Sequence, residues 1–228
     1  MNENKDQFVP SIRGNLKKHI IHVPEVIKYA SGILINGRLI KSLLFSTDVA
    51  IIKNMNADAI IAVYPFTPSP VITHSIILAA DVPVFTGVGG GTTRGERVIS
   101  LANHAEYQGS IGVVVNAPTD NSTIVQMSHI IDIPIVVTVV SHNVDINARL
   151  EAGAKIINVS AASQTASVVK QIRKDHPKVP IIATGGPNDE TILQTIEAGA
   201  NAITYTPPTN GELFSVLMDK YRIEEENR

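Results

Sequence analysis

Two residues in this 228-residue chain have the chemistry of an acid–base pair: Asp48 in "STDVAII" and His142 in "VVSHNVD". An aspartate and a histidine facing one small carbonyl substrate can serve as base and acid. A second set of residues could hold an anion. "ATGGPNDE" places Thr184, Gly185 and Gly186 just before a helix-like stretch, and "TPPTNGE" places Thr206, Asn210 and Gly211 before another. Glycine lets backbone N–H groups approach a ligand without Cβ interference. The helix start behind it carries partial positive charge. The run "GVGGGTTRGE" adds bare backbone at Gly89 and Gly90, with Arg94 as a donor to carboxylate or phosphate. Its spacing is wrong for a dinucleotide fingerprint. Tyr64, Asn116 and Ser160 supply a phenol, an amide and a hydroxyl that could orient a hydroxylated ligand.

Several of these residues have structural roles open to them as well. Asp48, like Ser46 and Thr47, fits a helix N-cap. "TRGE" (93–96) and "TNGE" (209–212) both read as capping boxes. The Gly-Gly-Pro and Pro-Pro breaks also suit plain tight turns.

Short β-branched runs recur along the chain and set where these residues stand. They are "SLLFS" (42–46), "DAIIAVY" (58–64), "VPVFTGV" (82–88), "SIGVVVN" (110–116), "IPIVVTVV" (133–140), "KIINVS" (155–160), "VPIIAT" (179–184) and "NAITYT" (201–206). Each is nearly continuous in apolar residues, as expected of parallel strands buried on both faces. Helix-length segments such as "TASVVKQIRKDH" and "DETILQTIEAGA" separate them. "EAGAKI" and "EAGANA" repeat before the sixth and eighth runs, where glycine can form a left-handed helix C-cap. Eight strand–helix units favour a closed (β/α)8 barrel over residues 42–228, with an open doubly wound sheet as the alternative. Residues 1–41 form an N-terminal extension, with a short helix at "VPEVIKYA", expected under the barrel or at a dimer contact. In such a barrel every strand exit lies on one face, which gathers the candidates above at one mouth.

Composition narrows the field. Charged residues are 18% and the net charge is −2, so nothing points to nucleic acid or an anionic membrane. There is no cysteine, which removes disulfides, thiolate metal sites and a cysteine nucleophile, and fits a cytoplasmic protein. No apolar run approaches the roughly 20 residues of a membrane span. No lysine ends a strand, so Schiff-base chemistry is not expected at the mouth. Of the seven histidines, only His142 follows a strand; His74, His104 and His129 fall in helices, and His19, His22 and His176 lie elsewhere. A two-metal site is therefore not expected.

The stretch "IIATGGPNDETILQTIEAGANAITYT" resembles the last quarter of the phosphate-binding (β/α)8 barrels, the superfamily of ribulose-phosphate epimerase, indole-glycerol-phosphate synthase and thiamine-phosphate synthase. The runs "NADAIIAVYPFTPSP", "VPVFTGVGGGTTRGERV" and "GVVVNAPT" are similar to a group of small bacterial barrels labelled only "hydrolase". The resemblance implies a phosphate or carboxylate gripped at the seventh and eighth exits. The function expected is an acid–base lyase or isomerase acting on a small anionic metabolite, in a homo-oligomer. The alternatives are an FMN-dependent oxidoreductase, a hydrolase and a non-catalytic ligand sensor. No cofactor is expected, with FMN, or one Mg²⁺ held through a substrate phosphate, as alternatives.

Overall fold

The computed structural model describes residues 10–12, 14 and 20–227. His19 and the polar opening stretch up to residue 9 lie outside them. Among the described residues regular structure starts with a 3-10 helix (Glu25–Tyr29) and a hairpin of β1 (Ile33–Ile35) and β2 (Arg38–Ile40). Eight parallel strands follow: β3 (Ser42–Phe45), β4 (Ala59–Ala62), β5 (Val84–Gly89), β6 (Gly112–Val115), β7 (Ile135–Val139), β8 (Ile156–Val159), β9 (Ile181–Thr184) and β10 (Ala202–Tyr205). They close into a barrel in sequence order, with β10 pairing back onto β3 through Ile203–Ser42 and Tyr205–Leu44. Closure rules out the open-sheet alternative. The helices are α1 (Val49–Lys53), α2 (Pro70–Ala79), α3 (Glu96–Tyr107), α4 (Asn121–Ser128), α5 (Ile146–Glu151), α6 (Thr165–Asp175), α7 (Asp189–Glu197) and α8 (Asn210–Glu226).

Strand side chains alternate between two cores. Val113, Val115, Val137, Val139, Ile157, Val159 and Ile181 face outward against the helices. Leu43, Ile61, Phe85, Val114, Val136, Ile156, Ile182 and Ala202 face the barrel axis. The hairpin adds Ile33, Ile35 and Ile40 to this inner cluster. Gly32 N–H donates to Asn201 O at 2.8 Å, tying the hairpin to the start of β10. The strand-start end of the barrel is thus plugged by apolar side chains.

The rest of the extension does something the sequence pattern did not suggest. Ile21 bridges to Met55, and Ile21 and Val23 pack on Leu44, Ile51 and Tyr205. The 3-10 helix lies against α7, with Ile27 buried. Residues 21–29 therefore cover the outer side of β3 and β10, between α1 and α7. That slot in the wall is where an eighth helix would pack. Because it is filled, α8 leaves the barrel with no buried residue and, among the described residues, no lengthwise packing on another element.

Candidate functional site

The barrel interior changes character one step above the apolar layer. Moving two residues along each strand keeps a side chain on the same face. From the inner residues above, that step reaches Phe45, Val63 and Gly87 on β3–β5, and Asn116, Thr138, Asn158, Thr184 and Thr204 on β6–β10. One crescent is apolar or small; the other carries neutral hydrogen-bonding groups. Asn158 Nδ2 donates to Thr138 Oγ1 at 3.3 Å. Thr184 Oγ1 donates to Ser160 Oγ at 3.4 Å. Thr204 is 7% exposed, and its Oγ1 is buried with no partner among the described residues. Thr138, Asn158 and Thr204 were missed in the sequence because they sit inside apolar runs rather than after them. The available signal was a polar residue at a period-two position within "VVTVV", "INVS" and "AITYT".

Phe45, Val63 and Asn116 of this layer also line a cavity of about 560 Å³, together with Thr47, Asp48, Tyr64, Thr206, Pro207 and Asn210, among others; Thr138, Asn158, Thr184 and Thr204 lie outside its lining. Five sequence candidates thus meet: Asp48, Tyr64, Asn116, Thr206 and Asn210. Asp48 is the N-cap of α1, its Oδ1 accepting from Ala50 N–H at 2.9 Å and Ile51 N–H at 3.2 Å. Its Oδ2 accepts from Asn210 Nδ2 at 2.5 Å, which joins the first turns of α1 and α8. Tyr64 hydroxyl accepts from Ser69 N–H at 2.8 Å and so holds its own loop. Asn116 is seated from behind by Arg149 of α5, whose Nη2 donates to Ala117 O at 3.0 Å and whose Nη1 donates to Asn121 Oδ1 at 2.8 Å and to Thr119 O.

The glycine run after β5 lines a smaller adjoining cavity of about 50 Å³ with Val63, Tyr64 and Asn116. Gly90 has φ 99°, and a Cβ there would lie 2.2 Å from Thr119 Oγ1 and 2.7 Å from Asn116 N. Its glycine is required by contact with the β6 exit rather than by ligand approach. Gly89 is likewise pressed against Val98. The expected capping box at Thr93–Glu96 does not form: Gly95 is the N-cap of α3, and Thr93 Oγ1 instead donates to Thr67 Oγ1 at 3.3 Å. Arg94 folds back, its Nε donating to Gly91 O at 3.0 Å.

The two exits expected to cradle an anion supply their own carboxylates. Gly185 N–H donates to Thr204 O at 3.3 Å, and a Cβ there would sit 2.7 Å from Ile203 and 2.8 Å from Ile192. Gly186, at φ 86°, makes the left-handed turn into α7. Asn188 and Thr191 close that helix start as a capping box, with Asp189 and Glu190 in its first turn. At α8 the expected box is present: Thr209 N–H donates to Glu212 Oε2 at 2.7 Å, and Glu212 N–H to Thr209 Oγ1 at 3.2 Å. The Thr209 amide and hydroxyl hold the Glu212 carboxyl below its ordinary range. Gly211 and Thr206 lie exposed beside it. Three carboxylates around two helix starts oppose a further anion there.

His142 stands apart from Asp48. Its ring nitrogens pair with Gln171 Oε1 at 2.6 Å and Ser167 Oγ at 3.0 Å, both on α6. It lines a groove of about 220 Å³ between α5 and α6, with Asp145 and Asp175. The structure does not assemble the acid–base pair expected across the mouth. His142 lies three residues beyond the end of β7, where strand alternation no longer sets direction, and Gln171 and Ser167 of α6 hold its ring over the helical layer.

Among the described residues no group of three His, Cys, Asp or Glu side chains is placed to hold a metal ion. The cavity offers one carboxylate, Asp48, with both oxygens already accepting hydrogen bonds, so the residues do not make a metal cage. The β9 exit, which a flavin phosphate would need, is taken up by its own cap. Among the described residues no helix is long and apolar enough to cross a membrane.

These features define a closed (β/α)8 barrel with a plugged base and one half-polar mouth. Neither a family model nor a curated protein matches the sequence. Solved structures do match in fold. A phosphonopyruvate hydrolase in complex with oxalate and Mg²⁺ aligns with TM-score 0.60 at 14% identity, covering 82% of each chain. A 2,3-dimethylmalate lyase, described as a member of the PEP mutase/isocitrate lyase superfamily, aligns with TM-score 0.62 at 12% identity, over 89% of this chain and 82% of that one. A phosphoenolpyruvate phosphomutase from Streptomyces platensis subsp. rosaceus aligns with TM-score 0.59 at 14% identity, over 81% of each chain. At these identities the likeness is one of fold. It bears out the barrel; the structures just described are not ribulose-phosphate-type barrels.

Proposed function

We propose that this chain is a metabolic enzyme of lyase or isomerase type, which takes a small carboxylated or phosphorylated metabolite at the mouth of its barrel. The observation that carries the reading is the polar crescent, with Thr204 Oγ1 buried and unpaired in its floor. An unsatisfied buried hydroxyl costs about 1–3 kcal/mol, and a ligand oxygen lowered onto the crescent would relieve that cost. Neutral donors can hold carboxylate or phosphate oxygens without a lysine, and the apolar crescent fits a short carbon skeleton. The neighbours named for phosphonopyruvate and 2,3-dimethylmalate, one of them in complex with oxalate, are compatible with such a ligand. Asp48, reached through Asn210, is the group assigned to proton transfer, or to activating water if the reaction is a hydrolysis. His142 is given no part in it.

The test is thermal shift and calorimetry of the chain against oxalate, short hydroxy acids and sugar phosphates, without and with Mg²⁺. A ligand at a hundredfold excess over Kd adds about 2.7 kcal/mol of stability. Asn158→Leu and Asn116→Leu should abolish the shift, and His142→Ala should retain it. Binding that survives both leucine variants would remove the crescent from the site. A non-catalytic ligand sensor is the second reading, favoured because Asp48 already serves as a helix cap and no lysine or histidine lines the cavity. It predicts the same stabilisation with no turnover in any variant.

A further inference from the structure

The helix displaced from the wall has the features of a docking element. In α8, Leu213, Phe214, Leu217, Met218 and Tyr221 recur at three-to-four-residue spacing and form one apolar stripe. Phe214, Leu217, Met218 and Tyr221 are 38–65% exposed. The same chain carries a second uncovered apolar surface. α2, "PVITHSIILA", contains no Lys, Arg, Asp or Glu and buries Thr73 and Ile76 on its inner side. Its other side shows Val71, Ile72 and Leu78 to solvent, extended by Phe66 from the preceding loop, at 43–76% exposure.

We propose that the stripe of α8 docks on the outer face of α2 of a second copy of this chain, reciprocally about a two-fold axis. Two different patches on one chain can both be covered this way, since each copy supplies what the other lacks. The area fits. With roughly 200 Å² for a large apolar side chain, each patch exposes on the order of 400–500 Å². Four patches in a two-fold pair then total roughly 1,600–2,000 Å², the size of a stable interface. Charge fits as well. α2 offers no Lys, Arg, Asp or Glu that would be buried without a partner, and the charges on the stripe's side of α8, Glu224 and Glu225, come after Tyr221 at the far end of the helix, where Glu224 pairs with Lys220. An acidic membrane is a poor occupant, because α8 carries five acidic residues against two basic ones, Lys220 and Arg222.

Sedimentation velocity of the full chain tests this directly. The wild type is expected as a dimer, and Leu217→Glu on α8 or Leu78→Glu on α2 should each yield monomers. No residue of α8 is buried, so Leu217→Glu leaves the barrel core intact, and an unchanged thermal melt of the barrel verifies that. The chain has no cysteine, so Tyr221→Cys in one population and Val71→Cys in another can be mixed and joined with a short bismaleimide. A cross-linked pair that needs both populations supports the proposal. A monomeric wild type, a dimer indifferent to both glutamates, or cross-linking of a Tyr221→Cys/Val71→Cys double variant only within single chains would overturn it.

Discussion

The two layers of the barrel interior use the same strands for opposite ends. Near the strand starts, Phe85, Val114, Val136, Ile156 and Ile182 fill the axis and the β1–β2 hairpin seals it. Two residues further along, Asn116 just past β6 and Thr138, Asn158, Thr184 and Thr204 on β7–β10 stand there instead. A shift of one pleat separates a layer selected for packing from one that can recognise a ligand. Substitutions in the first should therefore move stability, and those in the second should move binding.

The contrast is sharpest at Phe85, which is fully buried. Phe85→Ala should cost about 3–5 kcal/mol in urea unfolding; a loss under 1 kcal/mol would mean the lower layer is not tightly packed. Asp48→Ala, at the rim, removes a helix cap and the bond from Asn210, so a loss of about 1–2 kcal/mol is expected. Thr204→Val should reverse the sign. Replacing an unpaired buried hydroxyl with a methyl should leave stability unchanged or raise it by up to about 1 kcal/mol, while ligand affinity falls. Loss of stability in that variant would show that the hydroxyl is satisfied in solution. The smallest effect concerns pH. Asp120, the cap of α4 beyond Asn116, is lowered from 3.8 to about 2, first by the Ser122 hydroxyl and then by the Thr123 amide. A depressed carboxylate contributes stability above its unfolded pKa and loses it as pH falls from about 4 toward 2. Because the group is largely solvated, a few tenths of a kcal/mol is the expected scale. Asp120→Asn should remove that part of the acid dependence.

Much of the barrel was readable before its coordinates. All eight apolar runs became strands, the "EAG" glycines took left-handed φ values of 115° and 110° at Gly153 and Gly199, and the Thr209–Glu212 box capped α8. Those features are local, so local pattern suffices. The polar crescent was hidden because a strand buried on both faces shows no alternation to read. His142 was misplaced because it lies in the loop beyond β7, where partners on α6, distant in sequence, decide which way it faces. Gly90 and Gly185 looked like ligand contacts, yet each is demanded by a neighbouring strand or helix, a tertiary fact. Competition between residues 21–29 and α8 for one slot was equally out of reach, since either segment alone has a suitable apolar pattern.

The seam between β3 and β10 has a consequence for how the molecule is made. During synthesis β3 emerges early, and β10, its partner on the side away from β4, follows only after some 160 residues of intervening chain. Until then one side of the nascent sheet has open amides and carbonyls, a known invitation to mispairing. Ile21 and Val23 pack beside Leu44 in the finished barrel and leave the ribosome before it, so the apolar outer face of β3 has its cover early while its hydrogen-bonding edge waits for β10.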